Sequence, residues 1–363
     1  MGGSLRGRPG MIVHSEAPYN AEPPLGRLRA AFLTGAADFY VRSHGNIPEI
    51  DPAEYRLRVD GLVAEPLTLT VAALRARFQA QTVNAVLQCA GNRRADLQRV
   101  RPVSGDPWAP GAIGHAEWGG VGLAEVLRAA GAAEGRGLHV AFAAADEIEM
   151  EGEKRFRFGV SIPMEKAMAG EVLLAFEMNG AALAAEHGFP LRVVVPGFAG
   201  VRSPKWLMGI TVQDRPSNNH MQQRDYKMLP PGMEAETVDW AKGATIEEMP
   251  LNSAICEPGE RAELAAGRVV VRGYAIASAR GVVRVDVSGD GGRNWVQAAL
   301  EVGASRWSWV FWEAAVELSR GEQDIIVRAW DSAGQTQPSQ AADVWNTKGY
   351  LSAAWHRVRV RVV

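Results

Sequence analysis

The segment Leu87-Gln88-Cys89-Ala90-Gly91-Asn92-Arg93-Arg94 concentrates the residue types that could do chemistry. A cysteine leaves an apolar run, enters a glycine-containing turn and is followed by two arginines. Neighbouring cations favour a thiolate over a thiol, and a thiolate is a soft metal ligand or a nucleophile. The competing reading is a buried structural cysteine beside solvent-facing arginines. The local pattern alone leaves both open.

Positioning such a group needs rigid elements around it. Val83–Gln88 is β-branched and apolar, and predicts a buried strand that delivers Cys89 at its end. Tyr55–Val63 alternates and predicts a strand, Val71–Arg77 a short helix after the turn at Pro66, and Leu123–Ala130 an amphipathic helix stopped by Gly131. Leu191–Val195 predicts a further buried strand, closed by Pro196-Gly197. These belong to a mixed, layered α+β unit. From about Thr245 the pattern changes to short strands with turn signals: Arg268–Ser278, Val282–Ser288, Arg306–Leu318, Asp324–Trp330 and Trp355–Val363. In the second of these, Val283, Val285 and Val287 are expected on one face, with Arg284 and Asp286 on the other. In the last, Val358, Val360 and Val362 alternate with arginines. Together these predict a β-sandwich. A boundary is expected near Pro230–Ala244, where Pro, Gly and acidic residues interrupt the periodicity. Residues 1–38 are expected to form an N-terminal arm, mobile or hugging the surface.

Composition narrows the function classes. The chain has 363 residues, 47% hydrophobic and 22% charged, enough for two ordinary cores. A formal net charge of −2 argues against a nucleic-acid partner. Cys89 and Cys256 are too few for a disulfide framework, and no CxxC pair suggests zinc. No apolar run is long enough to span a bilayer, so no membrane partner is expected. The first residues lack the apolar core of a signal peptide, and the expected compartment is cytoplasmic, or periplasmic where a leader has been removed. Phosphate-cradling loops, HExxH and GxSxG are absent. The Asp286-x-Ser288-x-Asp290-Gly291 run begins like a calcium loop, but Gln297 stands where its glutamate should be, and a hairpin turn is the better reading.

At this point the sequence resembles the sulfite oxidase family of molybdopterin-dependent oxidoreductases. The Leu87–Arg94 octapeptide looks like that family's molybdenum-ligand motif. Phe39-Tyr40-Val41-Arg42-Ser43-His44 is similar to its F-x-R-N-H segment, with Ser43 in place of Asn. Similar blocks follow in order: Arg101-Pro102-Val103 to Trp108, Trp118-Gly119-Gly120-Val121, Ser161-Ile162-Pro163, Ala175–Gly180, His187–Arg192, Lys205-Trp206-Leu207, Arg224–Lys227, Val344-Trp345-Asn346 and Ala354–Arg357.

The resemblance implies a molybdenum–molybdopterin cofactor, with Cys89 as the protein's metal ligand. It implies that residues 39–244 form the cofactor-binding catalytic domain and residues 245–363 an immunoglobulin-like dimerisation domain. Tyr40, Val41, Arg42, Ser43, His44, His187, Arg192, Ser203, Pro204 and Lys205 are then expected to grip the cofactor, and Asp146 to contact its pterin. Arg42, Arg94 and Lys348 are expected to orient a small oxyanion, Tyr226 to hold it by a hydrogen bond, and Trp108 to wall the pocket. The loop around Tyr226, SNNHMQQRDYK, has no apolar periodicity, so a core role is not expected for the tyrosine. The implied reaction is oxygen-atom transfer, foremost sulfite to sulfate, with electrons passed to a separate acceptor, a cytochrome or oxygen. The segment before Phe39 is too short for a haem domain. A homodimer is implied as well, although Trp307, Trp309 and Trp312 suit a core equally.

Two departures thin the positive field. Lys348 stands where sulfite-oxidising relatives carry arginine, which keeps the charge but loses the planar fork. Ser104 stands where many carry lysine. Nitrate reductases share the CAGNRR run but typically have Asn at the Tyr226 position, so Tyr226 favours sulfite. Nitrate, another oxyanion or an S-oxide remain alternatives, as does a non-enzymatic cofactor carrier.

Overall fold

The computed structural model describes residues 9–229, 233, 239–278 and 280–363. Residues Met1–Arg8 of the expected arm, and most of the Pro230–Asp239 part of the expected boundary, lie outside the described residues.

Two mixed-length sheets build the first part of the chain. One is antiparallel, in the order Ala181–Ala182, Leu173–Met178, Ile113–Gly122, Ala80–Gln88, with Arg192–Val194 also pairing to Leu173–Met178. The other runs Leu67–Leu69, Leu57–Gly61, Leu207–Gln213, His139–Ile148, Phe156–Pro163, and its Leu57–Gly61 and Leu207–Gln213 strands are parallel. The core between them is aliphatic and aromatic, with Leu57, Val121, Leu127, Val140, Leu174 and Ile210 fully buried. The Val71–Arg77 helix forms where its pattern predicts, started by Thr70, whose hydroxyl accepts from the Ala73 amide. The Ile113–Gly122 strand was not legible because glycines interrupt it. They are required: a Cβ at Gly120 would lie 2.2 Å from the Leu174 carbonyl oxygen, where the pairing register shifts.

The second part is a sandwich of two sheets. One holds Asn252–Glu257, Gly267–Ile276, Val310–Leu318 and Ala299–Val302; the other holds Glu263–Leu264, His356–Val362, Gly321–Asp331, Val282–Ser288 and Val296–Gln297. Val358, Val360 and Val362 face its core as expected. The face assignment in Val282–Ser288 needs correction. Val282 is buried and Val283 is 55% exposed, because the register shifts between Val282 and Arg284. Asp286 is buried, paired with Arg284 and Arg328. The Arg306–Leu318 strand starts only at Val310. Asp290 accepts bonds from the Arg293 and Asn294 amides and from the Ser288 hydroxyl, which closes the polar turn on itself. Both cysteines are free.

The described part of the arm packs into the fold. Ile12–Glu16 and Tyr19–Glu22 form a hairpin, and Tyr19, Ala21 and Glu22 are buried. Leu28 joins Val86, Ile113, Tyr274, Trp309 and Phe311 in a core cluster that ties arm, first part and sandwich together.

Candidate active site

Cys89 sits at the end of the Ala80–Gln88 strand, where its amide donates to the Ala112 carbonyl at 2.9 Å. The chain then turns tightly. The Asn92 amide bonds the Cys89 carbonyl at 2.9 Å, the Gly91 amide donates to Sγ at 3.4 Å, and Arg93 takes a left-handed conformation at φ 65°. That turn sends the two arginines in different directions. Arg93 bonds Asp96, the Asn252 side chain and the Ser253 carbonyl, so it fastens the turn to the sandwich. The cations that lower the thiol pKa are Arg94 and, from a distant segment, Arg42. The expectation that Arg93 and Arg94 together favour the thiolate is therefore corrected. Burial dominates and raises the Cys89 pKa, against Arg42, Arg94 and the Gly91 amide. A metal ion bound there would deprotonate it outright.

Cys89 faces a cavity of about 650 Å³, partly open to solvent. Tyr40, Arg42, Ser43, His44, Asp146, His187, Arg192, Ser203, Pro204, Lys205 and Tyr226 all line it. Val41 is buried behind it, pairing with Ala21 of the arm. The sequence reading thus gathers one contiguous set from segments up to 186 positions apart, Tyr40 to Tyr226.

The electrostatics of this set point to an anion. Burial pushes the Lys205 pKa down to about 7, with Arg192 repelling and Asp146 opposing the shift. Burial pushes Arg192 down to about 10 and Asp146 up to about 6, the latter opposed by Lys205. A cation so poorly solvated gains most from a bound negative group. The Lys205 ammonium donates to Ser43 Oγ at 3.0 Å and the Glu186 carbonyl at 2.8 Å. Arg192 donates to the His187 and Ser203 carbonyls at 3.0 Å each and lies 4.9 Å from the Trp118 ring. His187 Nε2 meets the Ala36 carbonyl, and burial pushes its pKa down to about 4. Buried donors, the three cations Arg42, Arg192 and Lys205, and a soft sulfur in one cavity fit a phosphate-bearing pterin with a thiolate-bound metal.

Three of the expected substrate residues lie outside the lining of this cavity. Arg94 is 6% exposed; its Nε donates to the Lys348 carbonyl at 3.1 Å and its Nη1 to the Asp106 carbonyl at 2.9 Å. Glycines cradle it: a Cβ at Gly91 would lie 2.7 Å from its Nη2, and one at Gly349 would lie 2.6 Å from its Cγ. Lys348 does not present a spare charge, because its ammonium is 2.8 Å from Asp225. Trp108 is wholly buried, edge-on to His14 at 4.6 Å between ring centroids. Tyr226 corrects the expectation for its loop. It is 3% exposed, its hydroxyl is 2.7 Å from His44 Nε2, and its ring stacks on Tyr350 at 5.1 Å. Its surroundings come from distant segments, so local periodicity carried no sign of its burial.

Sequence reasoning missed four contributors. Tyr350 links the Tyr226 ring to the Arg94 guanidinium, 5.2 Å from its centroid. Its signal was its place two residues after Lys348. Asn20, Glu22 and His14 come from the arm. Asn20 Oδ1 accepts from the Ser43 amide at 2.7 Å and from Arg42. Glu22 accepts from the Ala109 and Gly111 amides at 2.7 and 2.9 Å, and His14 Nε2 lies 2.7 Å from it. The arm therefore braces both flanks of the cavity, on contacts that no local pattern announces.

Comparison with known proteins agrees. The oxidoreductase molybdopterin binding domain matches residues 44–221 and the Mo-co oxidoreductase dimerisation domain residues 243–363. The chain is 45% identical to sulfite oxidase of Gallus gallus over 359 residues, 96% of this chain and 77% of that protein. It is 38% identical to sulfite oxidase of Arabidopsis thaliana over 98% of this chain and 94% of that one. A nitrate reductase of Hordeum vulgare is 38% identical over 95% of this chain and 41% of its own length. The crystal structure of the sulfane dehydrogenase SoxCD from Paracoccus pantotrophus superposes with a TM-score of 0.81 at 25% identity, covering 99% of this chain and 93% of that one. The chain is thus a molybdenum-cofactor enzyme, and it belongs to the sulfite oxidase family of molybdopterin-dependent oxidoreductases.

Proposed function

We propose that this enzyme oxidises sulfite to sulfate and passes the electrons to a separate acceptor, a cytochrome or oxygen. The observation that carries the reading is one cavity that joins the Cys89 thiol to three cations, buried Arg192 and half-buried Arg42 and Lys205. When bound through Cys89, the molybdenum–pterin group supplies two-electron oxygen-atom transfer. Arg192, Lys205, Ser203 and the Tyr40–His44 segment hold the anionic cofactor, and Asp146 offsets the charge of Lys205. Arg42 and Arg94 attract the oxyanion toward Cys89. Tyr226 keeps its proton and donates a hydrogen bond to neutral His44 or to the substrate, since burial holds His44 well below its ordinary pKa and Tyr226 well above its own. Trp108 and Lys348 act behind this line: Trp108 packs the loop that holds Arg94, and Lys348 supplies a carbonyl to it. Residues 39–244 serve as the catalytic domain and 245–363 as the dimerisation domain of a homodimer. No helix among the described residues is long and apolar enough to cross a membrane.

Sulfite-dependent reduction of an artificial acceptor by molybdenum-loaded protein tests the proposal. Turnover lost with Cys89→Ser supports it; a wild-type rate no higher than that variant's refutes it. A second reading, nitrate reduction, draws on the 38% identity to the barley enzyme. Nitrate turnover with a reduced dye, faster than sulfite turnover, would favour it.

A further inference from the structure

Tyr226 follows a single π-helical turn, Met221–Asp225, which closes where the Tyr226 amide donates to the Met221 carbonyl at 3.1 Å. Such turns are rare and gather at functional sites. The extra residue rotates the side chain that follows away from its α-helical direction. The turn is held from outside by Arg202. This arginine is wholly buried, and of the run Gly200–Trp206 it alone stays out of the cavity lining. Its Nε donates to the Ile246 carbonyl at 2.7 Å, and its Nη1 donates to Gln222 Oε1. Gln222 lies inside the π-turn, and the same oxygen accepts from the Ser161 amide at 3.2 Å. The Ile246 amide in turn donates to the Tyr226 carbonyl at 3.2 Å. One guanidinium thus reaches Tyr226 from both sides, through the turn before it and through the segment beside it.

Burial pushes the Arg202 pKa down to about 10, against Glu247 and Tyr226, so the group stays charged near pH 7. Its Nη2 has no partner among the described residues. A leucine or methionine would fill this space without desolvating a cation. An apolar side chain could not hold Gln222 and Ile246 at a fixed separation, as the planar fork does. Arg202 is also next to Ser203, whose carbonyl accepts from Arg192 at 3.0 Å. The fork therefore joins the Arg192 end of the cavity to its Tyr226 end.

We propose that Arg202 is a positioning residue, which fixes the Tyr226 hydroxyl against His44 and at a set distance from the Arg192 end of the cavity. Its bearing on turnover rests on the sulfite-oxidising function proposed for the enzyme; the placement of Tyr226 does not. Full-length, cofactor-loaded protein tests it by two readouts. The first is the ¹⁵N resonance of His44 Nε2, which lies 2.7 Å from the Tyr226 hydroxyl. Tyr226→Phe gives the position of that resonance without the bond. Gln222→Met, similar in length but lacking the acceptor, should move it toward the Tyr226→Phe position. Arg202→Lys, which keeps the charge and loses the fork, should do the same. Gln222→Glu keeps an acceptor for both donors and should leave the resonance where the parent has it. The second readout is kcat/KM for sulfite. Gln222→Met should lower it about tenfold, and the double variant with Tyr226→Phe should lose no more than Tyr226→Phe alone. Independent roles would multiply the two losses, and that result overturns the proposal. A parent-like His44 resonance in Gln222→Met overturns it too, as does a Gln222→Glu resonance displaced as far as that of Gln222→Met. Where the parent does not turn over sulfite, the proposed function fails and the resonance alone decides on Arg202. Where Arg202→Lys does not fold, the two Gln222 variants decide.

Discussion

Replacing Glu22 with glutamine should loosen the active site from a distance. The Glu22 side chain has no exposed surface, and its two oxygens take the Ala109 amide at 2.7 Å, the Gly111 amide at 2.9 Å and His14 at 2.7 Å. Glutamine has the same shape but only one acceptor oxygen. Its NH₂ group would face a backbone N–H, leaving that donor buried and unsatisfied. Losing charge-assisted bonds and orphaning one amide costs about 3 kcal/mol together. The strain falls on the Asp106–Gly111 turn, whose Asp106 carbonyl holds Arg94. Urea unfolding at pH 7 measures the stability, and hydrogen exchange at Ala109 and Gly111 locates the change. Steady-state kinetics should show a larger rise in KM for sulfite than fall in kcat. A loss below about 0.5 kcal/mol, with both amides as protected as in the parent, would refute the view of the arm as a brace.

Gly349→Ala places a Cβ 2.6 Å from Arg94 Cγ at a residue with φ 62°. Arg94 must move by about 1 Å to restore ordinary contact, and KM for the oxyanion should rise roughly tenfold while the metal content stays constant; an unchanged KM would remove Arg94 from substrate binding. His356 gives a pH test. Its Nδ1 accepts from the Ile255 amide at 3.0 Å, and burial, helped by repulsion from Arg93, pushes its pKa down to about 3. The unfolded chain takes up that proton near pH 6.5, whereas the folded chain does not until near pH 3. Stability is therefore intact above pH 6.5 and falls as the pH drops toward 3, by about 2 kcal/mol between pH 7 and pH 5. Denaturation of the parent and of His356→Gln at both pH values checks it: the variant should lose that much less between them, and equal losses would count against a buried neutral His356.

The sequence by itself offered Cys89 as a ligand, at the end of an apolar strand and beside two arginines, and left a structural cysteine open. The Tyr40–His44, His187, Arg192 and Ser203–Lys205 cage was implied by the resemblance to the sulfite oxidase family. The short helix at Val71–Arg77 and the valine alternation at Val358–Val362 were legible from local pattern, because capping and strand period act over a few residues.

Only the tertiary structure decided which charges count. Arg93 and Arg94 are neighbours in the chain, yet the left-handed turn at Arg93 sends one to the sandwich and leaves the other beside Cys89. Lys348 reads as a spare cation until Asp225, 123 positions away, neutralises it. Tyr226 reads as a loop residue until His44 and Tyr350 enclose it. The arm looked featureless because its worth lies in Asn20 and Glu22 holding backbone amides far along the chain. Local pattern records what a residue can do; burial and long-range partners set its charge, its pKa and its direction.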